Sequence, residues 1–360
     1  MLYLLLQLSG VDSRYADPNQ SPVATKTIGG VGGQMEIEGD SLDDVLIQLY
    51  ERLPKSPLRN TGRRGDTLEL LGVSLRIFQP RARLSRSESR GKPFSALGEL
   101  LWYLAKSDKL EFIQPYVPKY RDEAVDGIIP GAYGPRLFAM REGIDQLQSV
   151  VNLLGGKSRG SRRAVVQLFN AEDIASDEEI PCTTTLQFLL RGSQLHLSVT
   201  LRSNDAYWGL PHDVFCFTML QEMMARRLSC EIGEYYQYVG SMHVYEPYLE
   251  KVEEYVTEGH QKAVVMPAMP AGNPFLIVEH LLAVEDRIRH GEAVIASEVA
   301  PDSYWADIVR LLQVFWAPDN KVSLDKLKAE FADPIYRSYL DGRRKLKPRV
   351  PEVRPETHCG

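Results

Sequence analysis

The stretch "EEIPCTTTLQFLLRGSQLHLSVTLRSNDAYWGLPHDVF", residues 178–215, decides how this chain is read. Leu186, Phe188 and Leu190 alternate with polar neighbours before "RGSQ", and Leu195, Leu197, Val199 and Leu201 do so after it. Alternation of period two on both sides of a glycine-containing turn predicts a β-hairpin with one buried face. The Arg-Ser-Asn-Asp run from Arg202 to Asp205 reads as a turn leaving the hairpin. Pro211 suits the first turn of a helix, where its missing N–H is not needed, so Asp213 is expected near a helix N-terminus. Val214, Phe217, Leu220, Met224 and Leu228 then mark the buried side of that helix.

Working outward, "SLDDVLIQLYERL" (41–53) predicts a helix with Ser41 as N-cap and Leu42, Val45, Leu49 and Leu53 on one face. "TGRRGDTLELLGVSLRIF" (61–78) reads as a Gly/Arg loop feeding two strands. "FSALGELLWYLAKS" (94–107) is an apolar helix with Leu97, Leu100, Leu101 and Leu104 inward and Glu99 set among them. "IIPGAYGPRLF" (128–138) reads as a glycine-rich turn, and residues 150–170 run from helix through a basic loop into a strand. Residues 232–256 read as a strand and then a helix, and the chain after 265–274 as mostly helical with a charged tail. The expected organisation is a loosely ordered segment (1–39), a catalytic domain (40–265) and a mostly helical C-terminal extension (266–360) packing on it. The fold class is α+β.

In a chain of 360 residues, 44% hydrophobic and 25% charged content is ordinary for a globular protein with a sizeable core. A formal charge of −6 argues against a general nucleic-acid coat, so an anionic ligand must be held by local arginines. The apolar opening "MLYLLLQLSG" lacks the basic flank of a signal peptide, and no apolar run approaches the roughly 20 residues of a membrane helix. Cys182, Cys216, Cys230 and Cys359 show neither metal-site spacing nor disulfide density, so no metal and a reducing cytoplasm are expected.

Taken singly, the polar candidates are ambiguous. A cysteine at a strand entrance, as Cys182, is more often a small buried residue than a nucleophile. Adjacent Arg162 and Arg163 suit a solvated edge or a bidentate phosphate clamp. Glu99 on an apolar helix face is costly unless paired or sharing a proton. Asp213 suits the positive end of its helix. His243 and Tyr245 suit an ordinary strand.

Their order is more specific. "ELLWYL", "GAYGPRLF", "SRRAVV", "PCTTTLQF", "RSNDAYWGLPHD" and "GSMHVY" occur in the order of the motifs of the thymidylate synthase superfamily, which also contains the pyrimidine-nucleotide hydroxymethylases; the chain resembles that superfamily from about Leu58 to Tyr245. The resemblance implies a thymidylate synthase-like fold, a large mixed β-sheet flanked by helices, in a homodimer with shared active sites. It implies a pyrimidine nucleoside monophosphate as substrate, 5,10-methylenetetrahydrofolate as co-substrate, and no obligate nucleic acid or membrane partner.

By the same resemblance Cys182 is the nucleophile for C6 of the ring, with Arg202 stabilising its thiolate and contacting phosphate. Glu99 organises water and protons, and Tyr133 assists proton removal at C5. Arg162 and Arg163 reach the partner's phosphate, Ser203 contacts substrate, and His243 and Tyr245 hold the sugar. Asp205 and Gly209 contact folate. Arg59, Arg63 and Arg64 are alternatives for a displaced phosphate arginine.

Departures from the pattern matter as much. The family's base-reading asparagine is Asp213 here. A carboxylate accepts from the cytosine amino group, which points to cytosine rather than uracil. "YVPKYRDEAVDG" (116–127) lacks the tryptophan that screens the methylene intermediate in thymidylate synthases, although Tyr120 partly substitutes. A wetter pocket favours water addition and a 5-hydroxymethyl product on CMP or dCMP. The rivals are a thymidylate synthase acting on dUMP and a non-catalytic nucleotide- or RNA-binding relative. Thr183, Ser241 and Leu201 replace further family residues, and nothing after about Val256 resembles the family's closing tail.

Overall fold

The structure, a computed structural model, describes residues 35–62, 64–85, 93–260, 262–317, 322–344 and 352. Arg63, Cys359 and most of both terminal segments singled out above lie outside the described residues.

Met35–Gly39, the end of the segment expected to be loose, form β1. Helix α1 (Leu42–Arg52) begins at Ser41, whose hydroxyl accepts from Asp44 N while the Asp44 carboxylate accepts from Ser41 N. That reciprocal pair satisfies two of the donors every helix start leaves open. The expected Gly/Arg loop is a tight hairpin: β2 (Arg59–Gly62) pairs antiparallel with β3 (Gly65–Ile77), one continuous strand rather than two. Gly65 turns the chain at φ +117°, a conformation that favours glycine.

Helix α2 (Phe94–Leu104) is buried along almost its whole length. After the short α3 (Leu110–Ile113), the expected glycine-rich turn becomes helical from Tyr133, giving α4 (Tyr133–Phe138). The stretches α5 (Met140–Gly143) and α6 (Gln146–Gly155) lead to β4 (Val165–Gln167). The predicted hairpin is β5 (Thr183–Arg191) and β6 (Gln194–Asp205), turning at Gly192 with φ +56°. The Arg-Ser-Asn-Asp run is not a turn: it completes β6, because pairing with its neighbour strand carries the ladder to its end. Helix α7 (Gly209–Arg227) is buried on every side from Val214 to Ala225, more than an amphipathic stripe requires. β7 (Glu231–Tyr245) and α8 (Leu249–Glu258) follow.

The sheet is mixed, in the order β1-β3-β7-β6-β5-β4, with β2 beside β3. β1–β3 and β6–β7 are parallel, and the other pairings are antiparallel. Helix α7 packs on β6, β7 and α2. The last helices are α9 (Val278–Arg289), α10 (Ala296–Val299), α11 (Ser303–Trp316), α12 (Val322–Glu330) and α13 (Arg337–Arg344). Helix α11 packs on α2, so these helices share the core of the sheet domain. Arg83 and Glu222 form a fully buried ion pair, and Glu222 also accepts from Met269 N at 2.9 Å. No helix among the described residues is long and apolar enough to cross a membrane.

Candidate active site

The parallel pairing of β6 with β7 sets Ser203 opposite Ser241 and Asp205 opposite His243. Two motifs about 40 residues apart in sequence therefore end side by side at the C-terminal ends of two central strands. Cys182 leads into β5 at this same end of the sheet, and Arg202 N donates to Cys182 O at 2.9 Å. A register shift between Thr183 and Thr185 interrupts the β5–β6 ladder just after the cysteine, the kind of irregularity that re-aims a side chain. Gly209 opens α7 at this end. A Cβ there would lie 2.7 Å from Asn204 Oδ1, so the close approach of helix to strand needs glycine.

These elements enclose a cavity of about 980 Å³. Glu99, Tyr133, Cys182, Arg202, Ser203 and Asp205 line it, as do Gly209, Asp213, His243 and Tyr245. Arg162 and Arg163 do not: both are exposed on the approach to β4, outside the cavity of their own chain. Among the alternative arginines, Arg64 lines the cavity and is held by Glu123 and Glu179, each at 2.9 Å. Arg59 instead pairs with Glu246 away from it.

The Cys182 thiol is open to the cavity. The protein packed around it nevertheless pushes the thiol up from its ordinary value, with Arg202 pulling the other way and Asp213 adding to the rise. Arg202 spends donors on the carbonyls of Pro181 (3.0 Å) and Ile180 (3.1 Å), which fixes its guanidinium beside the cysteine. Tyr133 donates to Thr183 Oγ1 and accepts from Thr183 N, both at 3.0 Å. Burial, with Asp213 and Cys182 nearby, holds its phenol far above its ordinary range, so it acts as a neutral hydrogen-bonding group and not as an ionised base.

Asp213 and Glu99 diverge. Burial raises Asp213 well above the usual carboxylate range, the Glu99 charge adds to the rise, and a hydrogen bond with Asn204 opposes it. With its proton on, Asp213 presents one donor and one acceptor. Burial also pushes Glu99 up, but hydrogen bonds from His212, Tyr120 and Tyr103 outweigh it and hold Glu99 below its ordinary value. Tyr103 and Tyr120 donate to Oε1 at 3.0 and 2.6 Å, and His212 Nδ1 lies 2.7 Å from Oε2. His212 Nε2 is 3.0 Å from Ser95 Oγ. His243, depressed by burial, has Ser203 Oγ 3.4 Å from its Nδ1.

The sequence reading missed Ser95, Tyr103, His212 and Asn204, and gave Tyr120 only a screening part. A signal was present: Ser95, Glu99 and Tyr103 stand four residues apart on α2, which stacks them on one helix face. Tyr120 is bound to Glu99 and tilted against Trp102 at 5.1 Å, so the screen is a polar hydroxyl committed to a carboxylate.

Whether the site suits a folate can be judged from its open valences. Asp205 Oδ1 accepts from Tyr207 N and Trp208 N, while buried Oδ2 has no partner among the described residues. Trp208 and Tyr248 add aromatic edges at the same wall. An open acceptor beside aromatic surface fits an amino-substituted flat heterocycle.

A mixed sheet flanked by helices, with a cysteine, a buried carboxylate and an arginine converging on one cleft, defines the thymidylate synthase-like fold. The chain belongs to the thymidylate synthase family, whose description matches residues 86–271. It is also similar to a deoxyuridylate hydroxymethyltransferase of Bacillus phage SP01, 33% identical over 209 residues that make up 54% of this chain and 54% of the relative. The chain thus spans about half the length of the curated relative it matches.

Proposed function

We propose that this protein is a pyrimidine-nucleotide 5-hydroxymethylase acting first on a cytosine nucleoside monophosphate. The observation that carries the reading is Asp213, an acid where the family resemblance puts an amide, lining the same cavity as Cys182 and Glu99. The bound folate, held by Asp205 and the Trp208–Tyr248 wall, would supply a methylene group.

Cys182 adds to C6 of the ring, making C5 nucleophilic. Because its thiol is raised in the empty protein, proton loss belongs to the liganded state, with Arg202 beside the sulfur favouring the anion. Asp213 accepts from the cytosine amino group through its carbonyl and donates its proton to N3. Tyr133 bridges to Thr183 next to the nucleophile and holds a proton near C5. Glu99 receives the proton of the water that completes the 5-hydroxymethyl group. His243 and Tyr245 face the sugar, and Arg202 and Arg64 the phosphate. Arg162 and Arg163, exposed and outside the lining of their own cavity, serve the site of a second copy in a homodimer.

A second reading, deoxyuridylate as substrate, is favoured by the likeness to a phage deoxyuridylate hydroxymethyltransferase and by the raised pKa of Asp213. A protonated acid can also donate to O4 and accept from N3–H of uracil. A product assay over CMP, dCMP and dUMP with methylenetetrahydrofolate separates the readings. Hydroxymethylcytosine nucleotide with tetrahydrofolate is expected; hydroxymethyldeoxyuridylate with tetrahydrofolate would favour the second reading, and dihydrofolate with a methylated uracil would identify a thymidylate synthase. Cys182→Ser is expected to abolish turnover while nucleotide binding stays measurable, and an active variant would remove the nucleophile from the scheme.

A further inference from the structure

The group with the most unassigned geometry is His212, between Pro211 and Asp213. Its two ring nitrogens are both engaged, Nδ1 with Glu99 Oε2 at 2.7 Å and Nε2 with Ser95 Oγ at 3.0 Å, and its ring lines the cavity. Ser95 and Glu99 sit one turn apart on α2, so a single helix face grips the imidazole at both ends. A carboxylate oxygen can only accept, so Nδ1 is the ring nitrogen that donates to Glu99.

A carboxylate offers about four lone-pair sites. Tyr103 and Tyr120 take the two on Oε1 and His212 takes one on Oε2, which leaves a single acceptor site on Oε2. We propose that His212 is a positioning residue that keeps Glu99 charged and turns its last free lone pair toward the water that adds to the C5 methylene. The water oxygen forms a bond to the methylene carbon and its proton passes to Glu99. The electron pair released into the ring breaks the C6–S bond and leaves on the Cys182 sulfur. No oxidant or reductant is required. The inference rests on the hydroxymethylase reading above.

The groups that face Glu99 are Tyr103 on its own helix, Tyr120 and Glu123 on the 118–123 segment, and His212, Asp213 and Cys216 on α7. Of these, His212 makes the largest contribution to lowering Glu99. The test compares wild type with His212→Phe, which keeps a ring of similar size, and His212→Gln, whose amide still donates to Oε2. Carbon-13 NMR of the Glu99 carboxyl in the unliganded protein should show its titration moved up by about one pH unit or more in His212→Phe, and by less in His212→Gln. The acid limb of the turnover profile should move the same way. An unmoved Glu99 titration in His212→Phe overturns the proposal, as does loss of turnover with no displacement of the acid limb. Wild type yielding no hydroxymethyl product from CMP, dCMP or dUMP overturns the functional reading instead, and the carboxyl titration still decides the coupling of His212 to Glu99.

Discussion

At the scale of single residues, two buried carboxyls in one cavity are driven in opposite directions by their partners. Glu99 is met by three donors and stays an anion; Asp213 is buried beside that anion and holds its proton to higher pH. The sign of each effect on stability follows from proton counting. Between the ordinary carboxylate value of 3.8 and its raised folded value, Asp213 holds a proton that the unfolded chain has released. Its contribution to stability is therefore lost as pH rises through that window. Asp213→Asn removes this slope. Its melting temperature is expected to exceed that of wild type by an amount that grows from pH 5 to pH 8, read by thermal denaturation; a constant difference would show Asp213 ionised when folded.

The same substitution replaces a proton that can sit on either oxygen with a fixed amide. Turnover should shift from cytosine toward uracil nucleotides by roughly tenfold or more, since a mismatched buried pair costs about 1–3 kcal/mol. Competition assays on dCMP and dUMP read this directly. Glu99 was legible in the sequence because a carboxylate is rare on an apolar helix face, and Cys182 and Asp213 because their order matched a family. The raised pKa of Asp213 was not, because it arises from burial and from the Glu99 charge, which meet only through the packing of α2 on α7.

At the scale of elements, α2 carries most of the site's internal support. Gly98 lets the ring of Tyr116 lie against the helix; a Cβ there would sit 2.1 Å from ring carbons. Tyr116 in turn donates to Glu285 Oε1 at 2.5 Å, accepts from Trp316 Nε1 at 3.0 Å and stacks on Phe315 at 4.5 Å. Arg289 closes this cluster, paired with Glu285 and set over Phe112, Tyr116 and Trp316. Because Tyr116 also lines the cavity, the C-terminal helices α9 and α11 brace a wall of the site from behind. Gly98→Ala should cost about 1–3 kcal/mol through overpacking, even though alanine is the better helix former. Denaturant titration measures it, and an unchanged or raised midpoint would show that the Tyr116 ring moves freely. The helix itself was readable from its leucines, but the need for glycine at 98 was not, because the ring it makes room for arrives from α3's exit.

At the scale of the whole molecule, the sheet, α7 and the terminal helices form one core, and the Arg83–Glu222 pair is sealed inside it. The mixed sheet could not be ordered from strand patterns alone, because parallel partners such as β6 and β7 are separated by a helix and declare nothing locally. The exposed arginines outside their own cavity bear on assembly. If the site is shared between two copies, mixing Cys182→Ser chains with Arg162→Ala/Arg163→Ala chains should restore turnover that neither shows alone. One site of each mixed pair would then combine an intact cysteine with intact arginines. Absence of complementation in confirmed mixed dimers would confine the site to one chain.

The unpartnered Asp205 Oδ2 has a consequence for what the cleft admits. A guest that brings an N–H to it gains a hydrogen bond the empty protein lacks, and a wholly apolar guest of the same outline does not, a difference of about 1–3 kcal/mol. Among flat compounds that fill the cleft, affinity should consequently track the placement of an amine more closely than surface area.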